Sequence, residues 1–205
     1  METTKTKAST KALVLGAVLS ALVVILQMLG SFIKLGPFSV SLVLIPIVIG
    51  AATCGVKIST WLGFLFGVIV LASGDAAAFL AVDALGTIVT VLAKGTLCGL
   101  LAGLAYTGTL RLLNRSGYRK INRYVAVLAA ALVCPLTNTG VFLLGCLLFF
   151  METITGWAQE AGFGTQTGSY MIFVLVGANF LFEVGLNLLL SPMVVRLLRI
   201  RNKEI

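Results

Sequence analysis

Long apolar runs alternate along the chain with short connections that carry turn formers or charge. The runs fall over residues 12–33, 38–55, 58–73, 79–112, 124–151 and 169–198. A helix rises about 1.5 Å per residue, so crossing about 30 Å of hydrocarbon takes about 20 mostly apolar residues. The runs therefore predict six transmembrane helices. The third is short, ending before Gly74 and Asp75, and the fourth is long for one perpendicular crossing. The segment from Gly74 to Gly86 is accordingly expected to be partly a loop or a re-entrant turn. The fold class expected is all-α, an integral membrane bundle of six helices. Residues 1–205 would form a single transmembrane domain, with no length left for a second, soluble one.

Charge orients the bundle. With both termini cytoplasmic, the cytoplasmic side holds Lys5, Lys7, Lys11, Lys57, Arg111, Arg115, Arg119, Lys120, Arg123, Arg196, Arg199, Arg201 and Lys203. Of the 15 basic residues only Lys34 and Lys94 then fall elsewhere. This is the positive-inside pattern, and an odd number of spans would break it. The outer connections hold Lys34, Asp75, Asp83, Glu152 and Glu160. The longest of them, Thr153 to Ser169, is polar and contains Trp157 and Phe163; it would either cap an outward-facing cavity or form a solvated loop with an interfacial tryptophan. The lysines ahead of the first run would also suit a signal peptide, but the run continues past Leu29 without a small-x-small cleavage site.

Composition agrees with lipid as the solvent. Hydrophobic residues make up 59% of the chain and charged ones 11%, and the mean hydropathy is +1.09, outside the range of a soluble domain. The net charge of +8 sits at the ends of the apolar runs, facing cytoplasm and anionic headgroups, and forms no groove for nucleic acid. Cys54, Cys98, Cys134 and Cys146 have no paired ligand spacing and the chain has no histidine, so they read as small apolar packing residues, with neither metal nor cofactor expected. The chain carries no G-x-S-x-G, no HExxH and no paired carboxylates in one segment, so no enzyme is expected. It also has no GxxxxGK[ST] loop; ATP-driven movement of a solute would need another chain.

The candidate chemistry lies where charge is costly. Lys94 is eleven positions inward from Asp83, which puts it near the bilayer midplane, and Asn138 and Glu183 fall near the middles of the last two runs. A charge at that depth costs at least about 2.5 kcal/mol unless paired or facing water, so these side chains should point into the bundle. Asn179, Glu183 and Asn187 recur every four residues and share one helix face. Opposite them Pro135, Thr137, Asn138 and Thr139 interrupt the fifth run with polarity, and the proline frees a backbone carbonyl. Two readings stay open: a small-ligand pocket between the last three spans, or a buried Lys94–Glu183 ion pair with the asparagines as interhelical hydrogen-bond glue. On the first run Ala8, Ala12, Gly16 and Ser20 form one series of small residues and Ala17 and Ala21 a second; Gly63 and Gly67 repeat the spacing on the third, where they suit internal packing.

Several motifs in order resemble the substrate-binding, or S, component of an energy-coupling factor (ECF) vitamin transporter, over nearly the whole chain. They are Ala17 to Ala21, Ile45-Pro46 to Gly50, Gly55-Val56-Lys57, Gly63-x-x-x-Gly67, Gly99 to Gly103, Leu136-Thr137-Asn138-Thr139-Gly140, Asn179-x-x-x-Glu183, and Ser191-Pro192 before a basic tail. The resemblance implies a six-helix subunit of the prokaryotic cytoplasmic membrane that captures a scarce micronutrient. It implies docking through Ala17 and Ala21, with Ala12 in a competing register, on a transmembrane coupling (T) protein joined to two ATPase subunits. It implies an outward cavity lined by the last three spans, which places substrate at Lys94, Asn138, Thr139, Asn179, Glu183 and Asn187. No thiamine or biotin signature is present and the aromatics are scattered along the chain; a positive Lys94 beside amide groups would suit a carboxylate-bearing ligand such as pantothenate or folate, with riboflavin or another compound left open. The alternative is a self-sufficient secondary transporter or channel for a small organic solute, which inverted repeats and broken helices would favour; neither is evident.

Overall fold

The structure, a computed structural model, describes residues 2–32, 34–35, 38–39, 41–113 and 119–201. Arg115 and Lys203, assigned above to the cytoplasmic side, lie outside the described residues. The chain runs through α1 (Glu2–Gly30), a pair of two-residue strands (β1, Lys34–Leu35, and β2, Phe38–Ser39), α2 (Leu44–Thr53), α3 (Val56–Ala72), α4 (Ala77–Leu80), α5 (Ala84–Leu113), α6 (Arg119–Phe149) and α7 (Met151–Glu160). It closes with α8 (Thr167–Tyr170), a π-helical stretch (Met171–Gly177) and α9 (Ala178–Arg201).

Four stretches are long and apolar enough to cross a membrane: Thr10–Gly30, Ala84–Leu113, Ile121–Phe149 and Thr167–Leu198; Leu44–Thr53 and Val56–Ala72 are apolar but shorter. Their outward faces carry large apolar side chains. Leu85, Leu148 and Leu189 are each about three-quarters exposed, an exposure that lipid and not water accommodates. The chain is a multi-pass helical membrane protein.

The second apolar run differs most from its reading as a helix over 38–55. The antiparallel pairing of Lys34 with Ser39 and Leu35 with Phe38 occupies its approach, and helix begins only at Leu44. Its ten residues rise about 15 Å, half a crossing. Pro46 stands in its first turn, where the missing N–H would have had no intrahelical partner. A half-helix in lipid must be surrounded by protein, and Leu44, Pro46, Ile47, Val48, Gly50, Ala51, Ala52 and Thr53 are all buried. Gly55, at φ +88°, turns the chain from α2 into α3, and its N–H and that of Cys54 both reach the Gly50 carbonyl. The segment from Gly74 to Gly86 is partly loop, as expected, with α4 as a single helical turn inside it. The Thr153–Ser169 connection is not simply a loop: α7 runs through its first half and buries Ile154 and Ala158.

α5 is the axis of the bundle, packed along α3 on one side and α6 on the other; α6 also meets α9, and α1 leans on α3 and α2. Between apolar helices in lipid the attraction comes from close packing, which small residues permit. α3 and α5 meet backbone to backbone through Gly63 and Gly67 on one helix and Gly95 and Gly99 on the other. A Cβ at Gly63 would strike the Gly95 carbonyl oxygen, one at Gly99 the Ser59 carbonyl oxygen, and one at Gly67 would lie 2.9 Å from that of Val91. The two small-residue series of α1 separate here: Gly16 is buried against Ile58, and Ser20 accepts a hydrogen bond from the Trp61 indole at 3.3 Å, whereas Ala17 and Ala21 face outward. Ala12 is half-buried.

Overpacking a tight contact costs about 1–3 kcal/mol or more. Gly99→Leu is expected to lower the thermal unfolding midpoint in detergent by several degrees, because backbone cannot give way. Gly108→Ala on the same helix, with nothing within 4 Å, is expected to hold or raise it through helix propensity. Differential scanning fluorimetry of the two variants checks both.

Candidate binding site

Basic residues Lys57, Arg111, Arg123 and Arg196 fall at one end of the bundle and Asp75, Asp83, Glu152 and Glu160 at the other. A cavity lies toward the acidic end and is lined from α1, α3, α5, α6, α9 and the connections between them. It separates two buried clusters. One fills the bundle around α2, α3, α5 and α6; the other joins Phe79, Cys146, Phe150, Ile154, Tyr170 and Leu175 above it.

Lys94, next to Gly95 at the α3–α5 crossing, enters the cavity between two rings. Its ammonium lies 5.6 Å from the centroid of Phe66 and 5.4 Å from that of Phe142. Such contacts are worth about 0.5–2 kcal/mol each, comparable with the cost of a lysine at a helix centre, about 2.5–3.5 kcal/mol. The rings offset much of the charge's burial but accept none of its three N–H groups. Lys94 and Glu183 interact electrostatically, yet among the described residues no carboxylate lies within the 4.0 Å of an ion pair to Lys94.

Glu183 is buried, at 4% exposure. Asn138 Nδ2 donates to its Oε2 at 3.4 Å, and Ser41 stands with it on the cavity wall. That distance is long for a charge-assisted bond. A second acid on the wall is better tied: Gln27 Nε2, from α1, donates to Asp75 Oδ2 at 2.6 Å. The outer partners of both amides are accounted for, but their carbonyl oxygens are not. Gln27 Oε1 and Asn138 Oδ1 are buried with no hydrogen-bond partner among the described residues, as is the hydroxyl of Thr90. Each such group costs about 1–3 kcal/mol if left dry. All three residues line the cavity.

Of the residues singled out in the sequence, Lys94, Asn138, Thr139, Asn179 and Glu183 come together on the cavity wall. Asn187 does not reach it; its Nδ2 donates to the Glu183 carbonyl at 2.8 Å, and Ser191 Oγ donates to the Asn187 carbonyl at 2.8 Å. The stripe on α9 thus continues past the cavity as backbone support. Thr137 bonds back to the Val133 carbonyl at 2.7 Å in the helix turn containing Pro135. Gln27, Ser41, Asp75, Thr87 and Thr90 also line the wall and escaped the sequence reading. Gln27, a polar residue deep in the first apolar run, was the findable one; Asp75 looked like an ordinary interfacial acid.

The aromatics, scattered in sequence, are clustered in space. Phe79 of α4 meets Phe150 at 4.8 Å, Trp157 at 5.5 Å and Phe142 at 5.8 Å between centroids, all inclined edge to face. Together they wall the cavity on the side of α4 and α7. The arrangement is a concave apolar chamber with a few convergent polar groups, the form of a small-molecule site.

A family model described as the ECF transporter, substrate-specific component, matches residues 11–195. The chain belongs to that family. No curated protein and no solved structure matches it. Membership makes this S component a substrate-binding transporter subunit, and its small-molecule substrate and its T and ATPase partners follow in general terms from the family. In this S component Phe79 holds the aromatic wall together. Phe79→Ala is expected to cost about 3–5 kcal/mol, the usual range for an emptied Phe site. In a Trp61→Phe background it should also red-shift the emission of Trp157, because the indole loses its ring contact; a fluorescence spectrum and melt check both.

Proposed function

We propose that this S component captures a vitamin or related micronutrient from outside the cell membrane of a prokaryote and delivers it inward with a T protein and two separate ATPases. In this reading residues 1–205 are one transmembrane domain that crosses six times with both termini cytoplasmic. Residues 41–43 and α2 together make the second crossing. The observation that carries the proposal is the cavity: buried polar atoms with no partner among the described residues, at the acidic end of an otherwise apolar bundle. Substrate contacts Lys94, Asn138, Thr139, Asn179 and Glu183, with Asn187 holding the backbone that presents Glu183. A pocket and interhelical glue are both present in this reading, since Glu183 accepts a hydrogen bond from Asn138 of α6 while lining the chamber.

The T protein docks on the outward face of α1 at Ala17 and Ala21, with Ala12 at its margin. Both small side chains are exposed, flanked by exposed Leu13, Val14, Val18 and Leu22, so a second helix can approach closely there. Such docking predicts that Ala17→Trp and Ala21→Trp keep ligand affinity in the isolated subunit and lose ATP-driven uptake in the reconstituted complex. Uptake unchanged by both would remove the docking assignment.

Ligand binding supplies the main test. Isothermal titration with the compound that copurifies with the detergent-solubilised protein is expected to show at least a tenfold loss of affinity in Lys94→Ala and in Glu183→Ala. Both variants folded with full affinity would sink the pocket assignment. Sustained uptake into liposomes driven by an ion gradient alone would instead mark a self-sufficient transporter.

A further inference from the structure

The orientation of two amides determines what the chamber offers a ligand. Gln27 gives its N–H to Asp75 at 2.6 Å and Asn138 gives its N–H to Glu183 at 3.4 Å. Turning either amide over would set its oxygen against a carboxylate oxygen, which is repulsive, so the amide oxygens are the atoms left over. They are the buried Oε1 of Gln27 and Oδ1 of Asn138, which have no hydrogen-bond partner among the described residues. Each amide–carboxylate pair is thus an acceptor surface, one on the α1 side and one on the α6–α9 side. Among the described residues of the wall the basic group set against them is Lys94, whose ammonium lies 5.6 Å and 5.4 Å from the Phe66 and Phe142 centroids. Two acids, Asp75 and Glu183, thus stand against one basic residue on the described wall of the chamber.

We infer that the chamber selects a donor-rich, nitrogen-bearing small molecule of net charge zero or +1. Its N–H or O–H groups face the Gln27–Asp75 and Asn138–Glu183 pairs, and at most one acceptor or carboxylate meets Lys94. An anion of charge −1 or −2 sets its charge beside these two acids where little water screens it. A ring packs against the Phe79, Phe142 and Phe150 wall, whose faces suit a planar or cationic group. This rests on the receptor reading above and narrows its substrate: among vitamins it points toward cationic and neutral heterocycles and away from pantothenate and folate.

The test uses the full chain purified in detergent. The copurifying small molecule is identified by mass spectrometry, and thiamine, riboflavin, pantothenate and folate are titrated as probes of charge +1, 0, −1 and −2. The expected result is a neutral, zwitterionic or cationic copurified compound with at least two N–H or O–H donors, with the tighter of thiamine and riboflavin binding at least 100-fold better than either anion. Gln27→Met is expected to weaken the copurified compound at least tenfold. Asp75→Asn is expected to lower the ratio of thiamine to pantothenate affinity at least tenfold; a ratio within one folded variant is insensitive to its overall stability. A copurified anion, an anionic probe binding best, or a ratio unmoved by Asp75→Asn overturns the charge assignment and leaves the receptor standing. No copurified compound and no binding by any probe overturns both.

Discussion

The contact on which the rest of the bundle is built is the backbone-to-backbone crossing of α3 and α5. Gly63, Gly67, Gly95 and Gly99 bring the two helices closer than any side chain would allow, and in lipid such dispersion contact is the available source of helix adhesion. The crossing also fixes the site. Lys94 precedes Gly95, and Phe66 precedes Gly67, so the helices that touch through their glycines deliver an ammonium and a ring to the same space. One turn further along α5, Cys98 lies 3.2 Å from Cys134 of α6, both fully buried. That contact seats α6 so that Asn138, one turn beyond Cys134, opens on the cavity. The binding groups are therefore indexed to packing contacts about 6 Å below them, one helical turn.

The polar groups above the crossing serve the fold as well as the site. Glu183 shares the cavity wall with Ser41, where the chain approaches α2. Non-helical backbone at this depth needs partners, and a carboxylate can accept several hydrogen bonds. Gln27 ties the turn bearing Asp75 to α1. The cost of dehydrating two acids is offset by tying down irregular segments that apolar side chains could not hold. Among the described residues the amide oxygens of Gln27 and Asn138 and the Thr90 hydroxyl remain unoffset, and all three residues line the cavity.

The bundle was legible in the sequence wherever an apolar run was long and its ends charged. α5, α6 and the last span fall close to their expected bounds because length and charge are direct consequences of crossing lipid, whereas α1 ends near its bound but starts ten residues before it. The second run was misread because lipid-facing strand, buried half-helix and spanning helix all look equally apolar over ten residues. α7 was missed because its amphipathic pattern, with Thr153, Thr155 and Gly156 in it, resembles a polar loop. In the site, Lys94, Asn138 and Glu183 could be found because depth alone makes a charge or amide conspicuous. Asp75 and Ser41 could not, since both sit at segment ends where polarity is unremarkable. The aromatic wall was hidden for another reason: Phe79 lies more than sixty residues from Phe142, and no local pattern records a contact across that separation.

α1 joins the two halves of the molecule's work. Gln27, on its inner face, donates to Asp75 inside the chamber, while Ala17 and Ala21 lie on the outer face proposed for docking. At about 100° per residue, Gln27 is about 80° around the helix from Ala17 and about 120° from Ala21, and within about 15 Å along it. A helix of this length moves as a rigid body, and no proline interrupts α1 between those positions. A ligand that pulls on Gln27 Oε1 therefore acts on the helix that carries the docking face, without any need for a chain of side-chain contacts between them. The coupling is limited in size: it can be no larger than the difference in the free energy of the Gln27–ligand contact between docked and free subunits.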